Sequence, residues 1–151
     1  MWKVKDTVKK ISGVMKRLQT AEHPKSGFDG ALWPRYARLV TEDHSLYNDR
    51  EDSLLWEFEV EDWMRDLHRP VNTGTLATLV DCTTAIHAAA KTDFGYRSNS
   101  IEMATKFPVF ENDSALERFR KLERLLILTS LEAAGEKFMY TTCKIFTDDC
   151  Q

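Results

Sequence analysis

The residues with chemistry to offer concentrate in one stretch, Val71 to Asp81, which reads VNTGTLATLVD. An Asn-Thr-Gly start feeds an apolar run whose only carboxylate, Asp81, closes the second helical turn. An acid that complements a helix dipole belongs in the first turn, so Asp81 is too deep for that role. Its neighbours Leu79, Val80, Cys82 and Ala85 are apolar or small, which predicts a partly hydrated carboxylate. Such a group is a candidate general base near neutral pH. The plain alternative is a solvated acid on the polar side of an amphipathic helix. At the other end Asn72 or Thr73 makes a good N-cap, and on that reading NTG simply starts the helix.

The other reactive side chains offer less. His23, His44, His68 and His87 are scattered without ligand spacing, and no metal site is predicted. His87 lies six residues beyond Asp81 and off its helical face, so it reads as a packed or surface histidine rather than a partner for the acid. Cys82, Cys143 and Cys150 are odd in number and contain no CxxC pair. Neither a zinc ribbon nor a disulfide framework is indicated, and a reducing compartment is the simplest setting. Cys82 points about 100° around the helix from Asp81 and reads as a core thiol. Ser98 and Ser100 have no neighbouring histidine, which leaves a serine-hydrolase triad without support.

Positioning Asp81 requires a helix, and the run from about Gly74 to Lys91 supplies it. It lacks proline, is rich in alanine, and places Leu76, Leu79, Val80, Thr83, Ile86 and Ala90 on one face. The opposite face carries Ala77, Thr78, Asp81, Thr84, Ala85 and Ala88, small enough for a strand, a partner helix or a ligand to come close. Upstream, Trp56, Phe58 and Val60 alternate with Glu57, Glu59 and Glu61. Period two predicts a strand with an apolar face and a solvated outer face, a better account of the glutamates than a metal site. YARLVTED (36–43) suits a short strand, and 21–36, with two prolines and two glycines, suits a loop anchored by Phe28 and Trp33. RDLHRPVNTG (65–74) reads as a polar connection in which Pro70 ends regular structure before the helix.

Beyond the helix, TDFGY reads as a turn and RSNSIEMATKF as a further strand ended by Pro108. ENDSALERFRKLERLL opens with capping residues and predicts a short helix, its end lying between Lys121 and Leu125. LLILTSLEAAGEKFMYTTCKIF suits two antiparallel strands joined at Ala134-Gly135-Glu136. Residues 1–20 are basic apart from Asp6, and Val4, Val8, Ile11, Met15 and Leu18 form one stripe. An amphipathic helix packed on the domain is the favoured reading over a mitochondrial presequence, which would carry more arginine than Arg17 alone. The elements compose an α+β domain with helices on one side of an antiparallel sheet.

The 151 residues suit one domain, and 42% hydrophobic with 30% charged residues is ordinary for a soluble globular chain. A net charge of −3 argues against a nucleic-acid partner. No apolar run approaches the roughly 20 residues of a membrane span, and no secretory signal is recognisable.

GTLATLVD, the small-residue helix after it and SNSIEMATKF together resemble the hotdog-fold acyl-CoA thioesterases, of the thioesterase superfamily member 2 and phenylacetate-pathway type. The resemblance runs from about Leu54 to Phe146 and is most specific over 71–107. It implies a hotdog fold, an antiparallel sheet wrapped around a long central helix, with the N-terminal helix added. It implies hydrolysis of a fatty acyl or aryl thioester, with coenzyme A as part of the substrate and no other cofactor. Family members are dimers or dimers of dimers with the acyl groove between subunits, which makes a homodimer or larger assembly the expectation here, in the cytoplasm or a mitochondrion. Asp81 matches the family's carboxylate base, and Ser100 the serine on the next strand that holds the water. Asn72, Thr73 and Gly74 stand where the family has a His-Gly-Gly signature, with the N–H groups at Thr73 and Gly74 facing the thioester carbonyl. Asp66 falls near a residue that helps bind the nucleophilic water, and Gly74 and Thr78 are expected to line the substrate. Two departures stand out: the signature is altered, and where the family usually has another strand after the one ending near Phe146, this sequence has only TDDCQ. They keep open a second reading, a catalytically weak or inactive hotdog protein that binds acyl-CoA or serves as an assembly subunit. An unrelated α+β domain is the third.

Overall fold

Four strands and three helices are laid out in the computed structural model, which describes residues 9–14, 36–40, 53–67, 71–92, 102–106, 112–135 and 137–147. Helical residues 9–14 are labelled α1. There follow β1 (Ala37–Leu39), β2 (Ser53–Glu59), a 3-10 turn (Asp62–Met64), α2 (Thr73–Lys91), α3 (Asp113–Arg120), β3 (Arg124–Ala134) and β4 (Met139–Thr147). The strands form one antiparallel sheet in the order β1-β2-β3-β4.

The alternation of β2 decides which face meets the helix. Register places Trp56 opposite Ile127 and Phe58 opposite Leu125, and carries the same face on to Cys143 and Ile145 of β4. Leu54, Trp56, Phe58, Leu125 and Ile127 are buried in one cluster with Leu76, Leu79 and Ala90 of α2. Ile11 of α1 joins that cluster, as a packed N-terminal helix requires. Leu79 is fully buried at its centre, and truncating such a leucine typically costs about 2–5 kcal/mol. Beyond the strand, Val60 stays buried and donates its N–H to the Glu123 carbonyl at 2.8 Å.

The outer face is less solvated than the glutamates suggested. Glu59 and Glu61 are exposed, but Leu55 and Ser53, on the Glu57 side of β2, are buried. Their cross-strand partners explain this: Leu55 lies opposite Leu128, Glu57 opposite the buried Leu126, and Ser53 opposite Ser130, with 2.9 Å between the serine hydroxyls. Glu57 itself takes Arg38 at 2.6 Å and Arg124 at 3.5 Å, an ion-pair role rather than a ligand's.

Two other expectations are corrected. The described part of RSNSIEMATKF, residues 102–106, is exposed and carries no strand; among these five residues only Met103 is a large apolar side chain, so little burial is available to hold them to a sheet. The β3–β4 connection spans 135–138, closed by the Gly135 N–H on the Phe138 carbonyl at 2.8 Å, and is one residue longer than a three-residue turn. The 21–35 loop, residues 68–70 with Pro70, the TDFGY turn from Asp93 on, Pro108 and the remainder of the N-terminal helix lie outside the described residues.

α2 starts because Asn72 caps it and runs on through alanine-rich sequence to Lys91, a cation in the last turn where the dipole favours one. Leu76, Leu79, Thr83, His87 and Ala90 are buried against the sheet side, with Val80 and Ile86 half-buried at the margin. α2 packs on β3 and β4. Among the described residues no helix is long and apolar enough to cross a membrane.

Candidate functional site at the start and outer face of α2

The helix start has a definite hydrogen-bond economy. Asn72, in extended conformation, accepts the Thr75 N–H on Oδ1 at 2.7 Å and the Leu76 N–H on its carbonyl at 3.1 Å. Its own N–H donates to the Met64 carbonyl at 2.8 Å. Four N–H groups at a helix start lack helical acceptors; the cap takes one of them, at Thr75. The N–H groups of Thr73 and Gly74 have no acceptor among the described residues, and they point out of the positive end of a 19-residue helix. That is a ready site for a developing oxyanion.

The three residues Asn72, Thr73 and Gly74 each have a definite place here. Asn72 is the N-cap, the structural role its residue type predicts. Thr73 is the first helical residue, a conformation open to any side chain, so glycine's positive φ is not needed there. Gly74 is exposed, and a Cβ on it would lie 3.3 Å from Asn72 Oδ1, tight against the cap.

Asp81 lies on the side of α2 turned away from the buried stripe, and is half-buried. Gly74, Ala77, Thr78, Thr84 and Ala85 surround it at helical spacing, so the small-residue face is as expected. Thr84 turns its hydroxyl back onto the Val80 carbonyl at 2.8 Å; Thr78 and Asp81 are the other polar residues of that surface. Asp81 comes eight residues after Thr73, which at 1.5 Å per residue sets it about 12 Å along the axis. Thus Thr73, Gly74 and Asn72 are brought together at one end, while Asp81 and Thr78 share a face farther along. Asp66 is exposed in the segment between the 3-10 turn and Asn72. Ser100 lies outside the described residues.

Behind the helix is a buried polar cluster with no periodic signal in the sequence. His87 Nδ1 meets Thr129 Oγ1 at 3.0 Å, and the same hydroxyl is 3.4 Å from Trp56 Nε1 and from the Leu54 carbonyl. His87 is therefore the packed histidine anticipated, pinned to β3 and well off the Asp81 face. Next to it Thr83 hydrogen-bonds Cys143, whose thiol burial pushes up to about 11 despite that bond. A thiol so raised is a poor nucleophile at neutral pH, and Cys143 belongs to the packing. Cys82, half-buried against the core, does too.

Neither a protein-family model nor a curated protein matches the sequence. Solved structures do match the fold. Thioesterase superfamily member 2 from zebra fish is similar with a TM-score of 0.66 at 13% identity, covering 94% of this chain and 87% of that one. A thioesterase-like, phenylacetic acid degradation-related protein from Ralstonia eutropha JMP134 gives 0.60 at 18%, covering 89% of each chain. The E. coli PaaI protein of the phenylacetic acid degradation operon gives 0.58 at 13%, covering 97% and 86%. The chain has the hotdog fold of these neighbours. At such identities the likeness defines the fold alone.

Proposed function

We propose that the protein hydrolyses an acyl-CoA or related fatty acyl or aryl thioester, as a homodimer or dimer of dimers. The observation that carries this reading is the pairing of two first-turn N–H groups without acceptors among the described residues and a carboxylate on the small-residue face of the same helix. Water adds to the thioester carbonyl carbon while Asp81 accepts its proton. The carbonyl oxygen becomes an oxyanion received by the N–H groups of Thr73 and Gly74. Collapse breaks the C–S bond, and the proton held by Asp81 passes to the departing sulfur, giving free acid and coenzyme A thiol. Ser100 holds the attacking water, with Asp66 near its path, and Gly74 and Thr78 line the substrate. Coenzyme A enters as part of the substrate, and the steps need no further cofactor. A base of this kind contributes typically about 10²–10⁴ in rate, and an oxyanion donor about 10²–10³.

Spacing supports a site shared between two chains. The first-turn N–H groups point away from Asp81, so an oxyanion bound to them lies beyond the N-terminal end. Attacking water must lie within about 3 Å of both the carbonyl carbon and its base, which a separation of about 12 Å along one helix does not permit. Two subunits with α2 helices side by side and antiparallel bring Asp81 of one chain to the helix start of the other. The small residues around Asp81 allow that approach. The reducing setting implied by three cysteines without a framework suits a cytoplasmic or mitochondrial enzyme.

The Thr73 side chain, in place of a glycine, favours a second reading: a protein that binds acyl-CoA, or serves as an assembly subunit, with weak or no turnover. A panel of acyl-CoA thioesters of graded chain length and aryl type, assayed with the parent and Asp81→Asn, separates the two. Hydrolysis by the parent, lost in the variant, supports the enzyme; binding without turnover in either protein selects the second reading. Equal rates in both would remove Asp81 from the mechanism, and a strict monomer in solution would remove the two-chain site.

A further inference from the structure

Arg65 sits in a polar connector and carries no periodic or motif signal, yet it ties the segment leading to the helix start to the junction between α3 and β3. Its Nη2 donates to the Leu122 carbonyl at 2.7 Å and its Nη1 to the Arg120 carbonyl at 3.0 Å, while Nε lies 3.3 Å from Asp62 Oδ1. The two carbonyls belong to the end of α3 and the link into β3, where a helix terminus leaves acceptors without helical donors. A planar guanidinium reaches both at once; an ammonium, a point charge on a flexible stem, lacks that fork. The side chain is only 20% exposed, whereas that of Asp62 is fully exposed, so the carbonyls and not the ion pair hold it.

The backbone beside Arg65 continues the connection. Its own N–H bonds to the Asp62 carbonyl at 3.1 Å and that of Met64 to the Glu61 carbonyl at 3.0 Å, which closes the 3-10 turn. Met64 is fully buried, and its carbonyl accepts the Asn72 N–H. Asn72 in turn holds the N–H groups of Thr75 and Leu76. A continuous series of bonds therefore runs from the α3–β3 junction through Arg65, the 3-10 turn and Met64 to the cap of α2.

We propose that Arg65 is a positioning residue: by clamping the 3-10 turn to the α3–β3 junction it fixes the Met64 carbonyl, and through Asn72 the direction of the Thr73 and Gly74 N–H groups. Its kinetic consequence rests on the thioester-hydrolase reading; its structural consequence does not. Donors that act on the oxyanion stabilise the transition state beyond the ground state, so loosening them lowers kcat and spares KM.

The test compares Arg65→Met and Arg65→Lys with the parent, by amide hydrogen exchange along α2 and by steady-state kinetics on the thioester the parent turns over best. In Arg65→Met, exchange at Thr75 and Leu76 is expected to accelerate about tenfold, the scale of one lost anchoring bond. Exchange at Ile86 to Ala90 stays at the parent's rate. kcat falls about tenfold with KM within about twofold, and Arg65→Lys, keeping a donor but not the fork, lies between. Uniform acceleration along α2 and β3 would mark a general loss of stability and overturn the proposal. So would unchanged exchange at Thr75 and Leu76, or an unchanged kcat in an active enzyme. If Arg65→Met does not fold, Arg65→Lys carries the same contrast between the helix start and its middle. A parent inactive on every thioester takes down the hydrolase reading alone, and the exchange pattern then decides the role of Arg65.

Discussion

Replacing Thr75 with valine should make the protein more stable. Thr75 is 1% exposed, and its Oγ1 is a buried side-chain oxygen with no hydrogen-bond partner among the described residues. Thr83 and Thr84, later in α2, satisfy their hydroxyls on the carbonyls four residues back, Leu79 at 2.6 Å and Val80 at 2.8 Å. Thr75 has no such recourse: four residues back lies Val71, before the helix begins. A buried hydroxyl left without a partner costs about 1–3 kcal/mol. Valine keeps the branched shape, and its helix propensity is close to that of threonine. After allowance for imperfect repacking, a gain of about 1 kcal/mol is expected, or about 2–4 °C in Tm for a chain of this size. Denaturant unfolding should show a higher midpoint with an unchanged slope. A lower or unchanged midpoint would refute the reasoning, since it would mean that the hydroxyl is satisfied in solution.

Cys143 predicts the alkaline limb of stability. Its thiol is raised from 9.0 to about 11 by burial, so the unfolded chain ionises first and the contribution is lost as pH rises from 9 to 11. The loss should be about 1–2 kcal/mol, given the thiol's partial contact with water, and should vanish from a stability–pH curve of Cys143→Ala. Thr73→Pro isolates one oxyanion donor. Proline at the first helical position removes only an N–H that has no helical partner, and Asn72, at φ −65° and ψ 152°, already has the backbone a following proline demands. Helix content should hold while kcat on the preferred thioester drops about 10²–10³; an unchanged kcat would clear Thr73 of that role.

The sequence made legible whatever repeats at short range. Period two in Trp56, Phe58 and Val60 identified the core face of β2, and the spacing of Leu76, Leu79 and Thr83 identified the inner face of α2, with Asp81 on the other. The hairpin of β3 and β4 followed from its two β-rich runs around Gly135. What stayed hidden depends on register between distant segments. Leu55 reads as the outward residue beside Glu57, and only the pairing with β3 at Leu128 and Ser130 shows it to be buried. His87 reads as either a packed or a surface histidine, and only Thr129, 42 residues on, shows which. Arg65 looks like one more charge in a connector because its partners are carbonyls, which have no residue type to read.

The distance of Asp81 from the helix start gives the sharpest test of the proposed reaction. If one chain supplied both base and oxyanion site, two defective variants mixed together would stay defective. On the two-chain arrangement, Asp81→Asn keeps an intact helix start and Thr73→Pro keeps an intact base. A mixed dimer then contains one site in which both functional halves meet and one in which both are missing. After dissociation and reassociation of equal amounts, half the dimers are mixed and each carries one working site of two, so about a quarter of the parent's kcat should return. Either variant mixed with itself gives the control. Recovery that depends on subunit exchange would place the acid of one chain against the helix start of another. Absence of recovery from two variants shown to exchange would return Asp81 to the plain role of a surface carboxylate on a small-residue face.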